Sequence, residues 1–169
     1  MLYKKLILAI ILISLLAFLL PVSIVSADEV VTFPDPNLEA AIREAIGKPS
    51  GDIYQSDLVG LTSFTAESRS ITNLAGLEHC TGLTYLYLWD NQISSIWSLS
   101  NLTGLTELYL AQNQISSISP LSGLTSLIHL NLGGNHISSL SPLSGLILLA
   151  LRLFGRVQPT LAVRLGSWT

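Results

Sequence analysis

One fourteen-residue phrase occurs three times at a fixed interval, and this constrains the fold more than any other feature. Leu83-Thr-Tyr-Leu86-Tyr-Leu88-Trp-Asp-Asn91-Gln-Ile93-Ser-Ser-Ile96 returns 22 residues later as Leu105-Thr-Glu-Leu108-Tyr-Leu110-Ala-Gln-Asn113-Gln-Ile115-Ser-Ser-Ile118. After a further 22 residues it returns as Leu127-Ile-His-Leu130-Asn-Leu132-Gly-Gly-Asn135-His-Ile137-Ser-Ser-Leu140, and Leu99, Leu121 and Leu143 keep the same phase. A repeat this short cannot bury its leucines alone, so the copies must stack and the two ends must be capped.

The pattern L-x-x-L-x-L-x-x-N-x-I is the signature of a leucine-rich repeat. Within it, Leu86/Leu88, Leu108/Leu110 and Leu130/Leu132 alternate with period two and point to one side of a short strand. Stacking sets these strands side by side as a parallel sheet, about 4.8 Å apart. The amides of Asn91, Asn113 and Asn135 are placed to bond backbone groups that the turn leaves unpaired, which predicts an internal asparagine ladder. Ser119-Pro120-Leu121 and Ser141-Pro142-Leu143 mark the return leg, where proline favours short turns or 3₁₀ pieces over regular helix.

The ends of the chain read differently. Residues 1–27 form a secretory signal: Lys4-Lys5, an apolar run over 6–20, and the small-residue cleavage site Val25-Ser26-Ala27. The rival reading is an uncleaved membrane anchor, since residues 6–27 carry no charge and are just long enough to span. No cysteine lies near the cleavage site, which disfavours a lipid anchor. Residues 28–60 read as an N-terminal helical cap, with Asp35 as N-cap, Pro36 at N1 and Gly47 as the stop. Leu38, Ala41, Ile42, Ala45 and Ile46 share the predicted apolar face, and Glu39 and Arg43 are spaced to pair.

Residues 61–155 hold the repeats. The first, over 61–82, is worn: Leu61, Phe64, Ala66, Ile71, Leu74 and Leu77 keep phase, but Arg69 stands at the ladder position. Residues 148–153 match the strand pattern one position early. Residues 156–169 lose the pattern and read as a degenerate cap or an out-of-frame tail, the mostly apolar composition favouring the second.

Charge and cysteine content exclude several classes. Charged residues make up only 11% of the chain, the net charge is −3, and removal of Lys4 and Lys5 makes it more acidic. With no basic stripe, nucleic acid is excluded as a partner. The single cysteine, Cys80, excludes an internal disulfide framework and a cysteine-rich metal site. It falls 22 positions before Leu102, which predicts a buried small hydrophobe.

The 22-residue repeats resemble the internalin-type leucine-rich repeats of bacterial surface proteins. So does the stretch Ser56-Asp57-Leu58-Val-Gly-Leu61-Thr-Ser-Phe64-Thr-Ala66, followed by Ile71-Thr-Asn-Leu74-Ala-Gly-Leu77. The resemblance covers roughly residues 33–155. It implies an α/β repeat solenoid with a helical N-terminal cap, a parallel sheet on the concave face and 3₁₀ turns on the convex side. It also implies an extracellular role in binding a partner protein. The sequence shows no wall-sorting motif and no downstream immunoglobulin-like domain such as longer family members carry.

In such a solenoid the residues between the strand leucines line up as columns on the concave face. The first column is Ser63, Tyr85, Glu107, His129 and Ala150. The second is Thr65, Tyr87, Tyr109, Asn131 and Arg152, and the third is Glu67, Trp89, Ala111, Gly133 and Phe154. Tyr85, Tyr87, Trp89 and Tyr109 thus gather in one area. They have no core role in the repeat, so a contact surface is expected there. The plainer reading is that cross-strand aromatics only stabilise the sheet. With Glu107, His129 and Asn131 they form the candidate ligand-binding set.

Glu107 and His129, adjacent in one column, could share a proton or a metal ion. An open face lacks the enclosed pocket that catalysis favours, so they read as a surface pair. His136 reads as a solvated loop residue, His79 as part of a degenerate linker, and Asn101-Leu-Thr103 as a weak glycosylation sequon. The expectation is therefore a secreted or cell-surface monomer, non-catalytic and without cofactor, that binds a protein or, alternatively, a glycan. Two rivals are the targeting part of a larger secreted enzyme, such as a wall hydrolase, and a truncated repeat fragment without independent function.

Overall fold

The computed structural model describes residues 28–146 and the strand Ala162–Arg164. The chain enters through an antiparallel bridge between Val30 and Tyr54. It then forms helix α1 (Pro36–Ile46) and the short helix α2 (Gln55–Leu58). A parallel sheet follows, in the order β1 (Ser63–Thr65), β2 (Tyr85–Tyr87), β3 (Glu107–Tyr109), β4 (His129–Asn131) and β5 (Ala162–Arg164). Between the strands the return legs form 3₁₀ turns at Leu77–His79, Trp97–Leu99, Ser119–Gly123 and Ser141–Leu143. His79, expected in an irregular linker, closes the first of these turns.

The core is a stack of equivalent side chains. Phe64, Leu86, Leu108 and Leu130 pair in register at the strand centres, and all are buried. Leu88, Leu110 and Leu132 lie beside them, with Ile93/Ile115 and Ile96/Ile118 on the far side of each turn. Cys80 is fully buried, and burial pushes its thiol up to about 12, so it serves as a small hydrophobe.

The asparagine ladder is built as the spacing demands. Asn113 Oδ1 accepts from Ile93 N in the preceding repeat at 3.0 Å, while its Nδ2 donates to Leu88 O and Leu110 O at 2.9 and 3.1 Å. Asn91 and Asn135 repeat this arrangement one step either way. Each amide therefore ties two neighbouring repeats through backbone groups that water cannot reach. Arg69, at the ladder position of the first repeat, is exposed and turns outward to an ion pair with Glu44 of α1 at 2.8 Å.

The N-terminal cap closes the open end of the stack. Asp35 Oδ1 accepts from Asn37 N and Leu38 N, and Gly47 ends α1 in the left-handed region at φ 65°. Leu38, Ala41 and Ile42 are buried, Ile46 packs at the margin, and Glu39 pairs with Arg43 at 2.8 Å. Ala45, expected on the same face, is exposed, because it stands one residue from the end of the helix and only the first two turns lie over the repeats. Phe33 packs where Gly76, at φ 101°, leaves room: a Cβ there would come within 2.5 Å of its ring.

The C-terminal side departs from the period. The turn Ser141–Leu143 runs on into helical residues 144–146, where the equivalent chain after Gly123 leaves for the next strand. The place beside β4 is taken by Ala162–Arg164, with His129 opposite Ala162, Leu130 opposite Val163 and Asn131 opposite Arg164. Those partners are 33 positions apart rather than 22. The strand pattern expected at 148–153 lies outside the described residues. The expected column members Ala150, Arg152 and Phe154 lie outside the described residues, as does the signal at 1–27. Among the described residues no helix is long and apolar enough to cross a membrane.

Candidate functional site

Register brings the expected binding residues together. Tyr85, Glu107 and His129 are direct cross-strand partners, and so are Tyr87, Tyr109 and Asn131. Alternation sends the intervening leucines inward and these side chains outward. Tyr85 and Trp89 are 42% and 43% exposed, which is high for large side chains beside a packed core. Tyr87, Glu107, Tyr109 and Asn131 are half-buried, and His129 is exposed.

The rings are held by one another. Tyr87 stacks on Tyr109 with centroids 4.9 Å apart and planes inclined by 20°. The Tyr87 hydroxyl donates to Glu107 Oε2 at 2.7 Å. This is a diagonal contact, from the second column to the first, which long side chains on adjacent strands can reach. The hydrogen bond to the Glu107 carboxylate, with some burial and the nearby negative charge, pushes the Tyr87 hydroxyl up to about 12. Glu107 is thus engaged by Tyr87, and among the described residues it makes no ion pair with His129. Asn131 Oδ1 accepts from Gly133 N at 3.2 Å, which turns its amide along the strand.

The third column is only partly a surface. Glu67 and Trp89 are exposed, but Ala111 is buried at 6%, its small side chain covered where the chain turns out of β3. The signals that sequence reasoning passed over lie just beyond. Asp90 is exposed and accepts from Ser68 Oγ at 2.7 Å, so a second carboxylate sits at the edge of the aromatic area. Trp97, on the convex side, is the most exposed large hydrophobic side chain described, at 65%. It occupies the phase held by Ser119 and Ser141, and an aromatic in a serine position was the available clue.

The shelf is an open strand surface, and the hollow lined by Ala40, Arg43, Glu44, Gly47 and Pro49 belongs to the cap and shares no residue with it. Among the described residues no group of three or more His, Cys, Asp or Glu side chains is placed to hold a metal ion. What the geometry provides is a stiff aromatic shelf with one carboxylate built into it.

A stack of 22-residue strand-and-turn units, closed by an N-terminal helix and tied by an asparagine ladder, is a leucine-rich repeat solenoid. Residues 103–145 match the family described as Leucine Rich repeats (2 copies). More particularly, the repeats are similar to those of internalins. The chain is 36% identical to Internalin C of Listeria monocytogenes over 58 residues, covering 33% of this chain and 20% of that protein. It is 39% identical to Internalin H of the same species over 63 residues, covering 36% of this chain and 12% of the relative. Among solved structures, an internalin (inlF) of L. monocytogenes superposes with a TM-score of 0.67 at 39% identity, covering 68% of this chain and 34% of that one. The functional domain of InlJ, from the same species, gives a TM-score of 0.61 at 33% identity, over 64% of this chain and 24% of the other. The matched region therefore spans a fifth or less of the two curated relatives.

Proposed function

We propose that this chain is a non-catalytic binding module of a secreted or cell-surface protein, and that it recognises a protein ligand through the concave face of its repeats. The observation that carries this reading is the aromatic shelf. Tyr85 and Trp89 are exposed without any role in the core, and the stacked Tyr87–Tyr109 pair beside them is fixed by Glu107. Such rings bury large apolar area at little entropic cost, and a few of them supply most of the affinity of an interface. Secretion is supported by the leader pattern of residues 1–27, and cleavage after Ala27 predicts a mature protein that starts at Asp28. The much greater length of the relatives supports a role as one part of a larger surface protein.

The test is a selection of displayed peptides on the immobilised chain, followed by affinity measurements on a double variant, Tyr87→Ala with Trp89→Ala. Selected peptides are expected to lose at least about tenfold in affinity, with circular dichroism and urea midpoint close to the parent. Equal affinity for parent and variant would remove the concave shelf from the binding reading.

A further inference from the structure

The shelf has a charge as well as a shape, and together they specify an occupant. Across the four described repeat rows of the concave face, at 62–68, 84–90, 106–112 and 128–134, the charged residues are Glu67, Asp90 and Glu107, with no lysine or arginine. The nearest described arginine in sequence, Arg69, is already paired with Glu44, and Arg164 stands opposite Asn131 on the edge strand, beyond β4 from the row of Glu107. Glu67 and Asp90 are exposed at the edge of the aromatic area. Glu107 stands inside it, with Tyr85 beside it in its own column, Tyr87 diagonal to it and Tyr109 two residues along its own strand.

The geometry of Glu107 matters most. Its Oε2 accepts from Tyr87, which fixes the carboxylate against rotation, and Oε1 has no hydrogen-bond partner among the described residues. A half-buried anion with one oxygen committed and one available, walled by phenol rings, favours a donor that is both cationic and flat. Ring faces attract cations. A guanidinium adds planarity, stacks on an aromatic face and presents parallel N–H groups to a carboxylate, which an ammonium does not. A neutral sugar can stack on the rings but gains nothing from the charge.

We propose that the aromatic shelf receives an arginine side chain of the partner protein, its guanidinium lying against the tyrosine rings around Tyr85 and donating to the free oxygen of Glu107. This rests on the concave-face reading above and goes further, since it names the recognised group. Glu67 and Asp90 then favour a partner segment with additional basic residues around that arginine.

The experiment is a nuclear magnetic resonance titration of the full chain with four probes: N-acetyl-arginine amide, N-acetyl-lysine amide, the neutral isostere N-acetyl-citrulline amide, and N-acetylglucosamine. The expected result is a set of saturable shifts centred on Tyr85, Tyr87, Glu107 and Tyr109 with the arginine probe. Lysine should bind more weakly and citrulline at least about tenfold more weakly, the scale of one desolvated charge contact. Glu107→Gln, isosteric and able to keep the Tyr87 hydrogen bond, should abolish the preference for arginine over citrulline. Tyr85→Ala provides a second variant that leaves the carboxylate in place and should weaken arginine binding. Equal shifts with arginine and citrulline, an arginine preference that survives Glu107→Gln, or selective binding of N-acetylglucosamine would overturn the proposal. If the arginine preference fails while selected peptides still depend on Tyr87 and Trp89, the concave-face reading stands and only the arginine assignment falls.

Discussion

Asp35 is the residue whose removal tests the architecture most sharply. It is 4% exposed and accepts five hydrogen bonds. Oδ1 takes those from Asn37 N and Leu38 N at 2.9 and 3.1 Å and so caps α1. Oδ2 takes those from Thr72 N, Thr72 Oγ1 and Asn73 N at 2.7, 2.8 and 3.1 Å and so joins the cap to the turn of the first repeat. Loss of an N-cap costs about 1 kcal/mol. Hydrogen bonds to a charged acceptor are worth about 1.5–3 kcal/mol when desolvated, but Thr72 and Asn73 are exposed and water replaces much of theirs. Asp35→Ala is therefore expected to cost about 3 kcal/mol in urea unfolding. Amide exchange should rise first in α1 rather than in β3. Acid gives an independent check. Burial pushes the Asp35 carboxyl up, but the donors from Thr72, Leu38 and Asn73 outweigh it and hold it below its ordinary 3.8. A depressed folded value means stability that is present above 3.8 and is lost as pH falls through the folded value. The parent should thus lose stability on acidification more steeply than Asp35→Asn, which keeps a capping oxygen without the charge. A cost for Asp35→Ala within about 0.5 kcal/mol of zero, the range of ordinary surface changes, would refute this account. Parallel acid profiles of parent and Asp35→Asn would do the same.

Three further outcomes follow from the repeats and the shelf. Asn113→Ala strands Ile93 N and leaves Leu88 O and Leu110 O with only the amides of Asn91 and Asn135, and should cost about 1–3 kcal/mol in urea unfolding; a cost below that of an exposed asparagine would mean the ladder is not what ties the repeats. In a tyrosinate absorbance titration, Glu107→Gln should bring the highest-titrating tyrosine from about 12 back toward 10. The raised folded value also means that parent stability is full below pH 10 and falls between pH 10 and 12, and this alkaline loss should be smaller in the variant. Gln112 sits at φ 55°, so Gln112→Gly relieves left-handed strain and should stabilise by about 0.5–1 kcal/mol after the added unfolded-state freedom is counted; a destabilised variant would show that the strain is absorbed elsewhere.

The repeating part of this fold was legible because a period of 22 carries three-dimensional information directly. Once Leu86, Leu108 and Leu130 are in phase, their partners across the sheet follow, and so do the positions of Asn91, Asn113 and Asn135. The cap was legible for a different reason, since Asp35, Pro36 and Gly47 are local signals that need no long-range contact. Two features were not. Ser68, Asp90 and Gln112 share the left-handed backbone that Gly134 adopts in the last repeat. Four different residue types at one phase disguise a common geometry, and only Gly134 advertises it. The second is the bond from Asp35 to Thr72 and Asn73, which spans 37 and 38 positions and lies outside the repeat register. The register of β5 was not legible for a third reason. Ala162–Arg164 pairs with β4 at an offset of 33 positions, which a period of 22 cannot announce.

The candidate site divides along the same line. Which residues share a column is a matter of register, and register follows from the period, so the grouping of Tyr85 with Glu107 and of Tyr87 with Tyr109 could be read in advance. Which of them touch is a matter of how each side chain leans, and a column does not state that. Glu107 has His129 and Tyr85 as direct cross-strand partners, yet its hydrogen bond goes diagonally to Tyr87. The choice has a physical basis. A phenol hydroxyl at the end of a stiff ring reaches the next column without losing much rotamer freedom, and the stack on Tyr109 holds that ring in place. The result converts a flexible glutamate into a fixed acceptor, and a fixed acceptor among aromatic faces discriminates between ligands in a way that a mobile surface carboxylate cannot. On the binding reading proposed above, specificity on this face is set by the Tyr87–Glu107 bond, a pairwise contact, more than by the number of aromatics the repeats display.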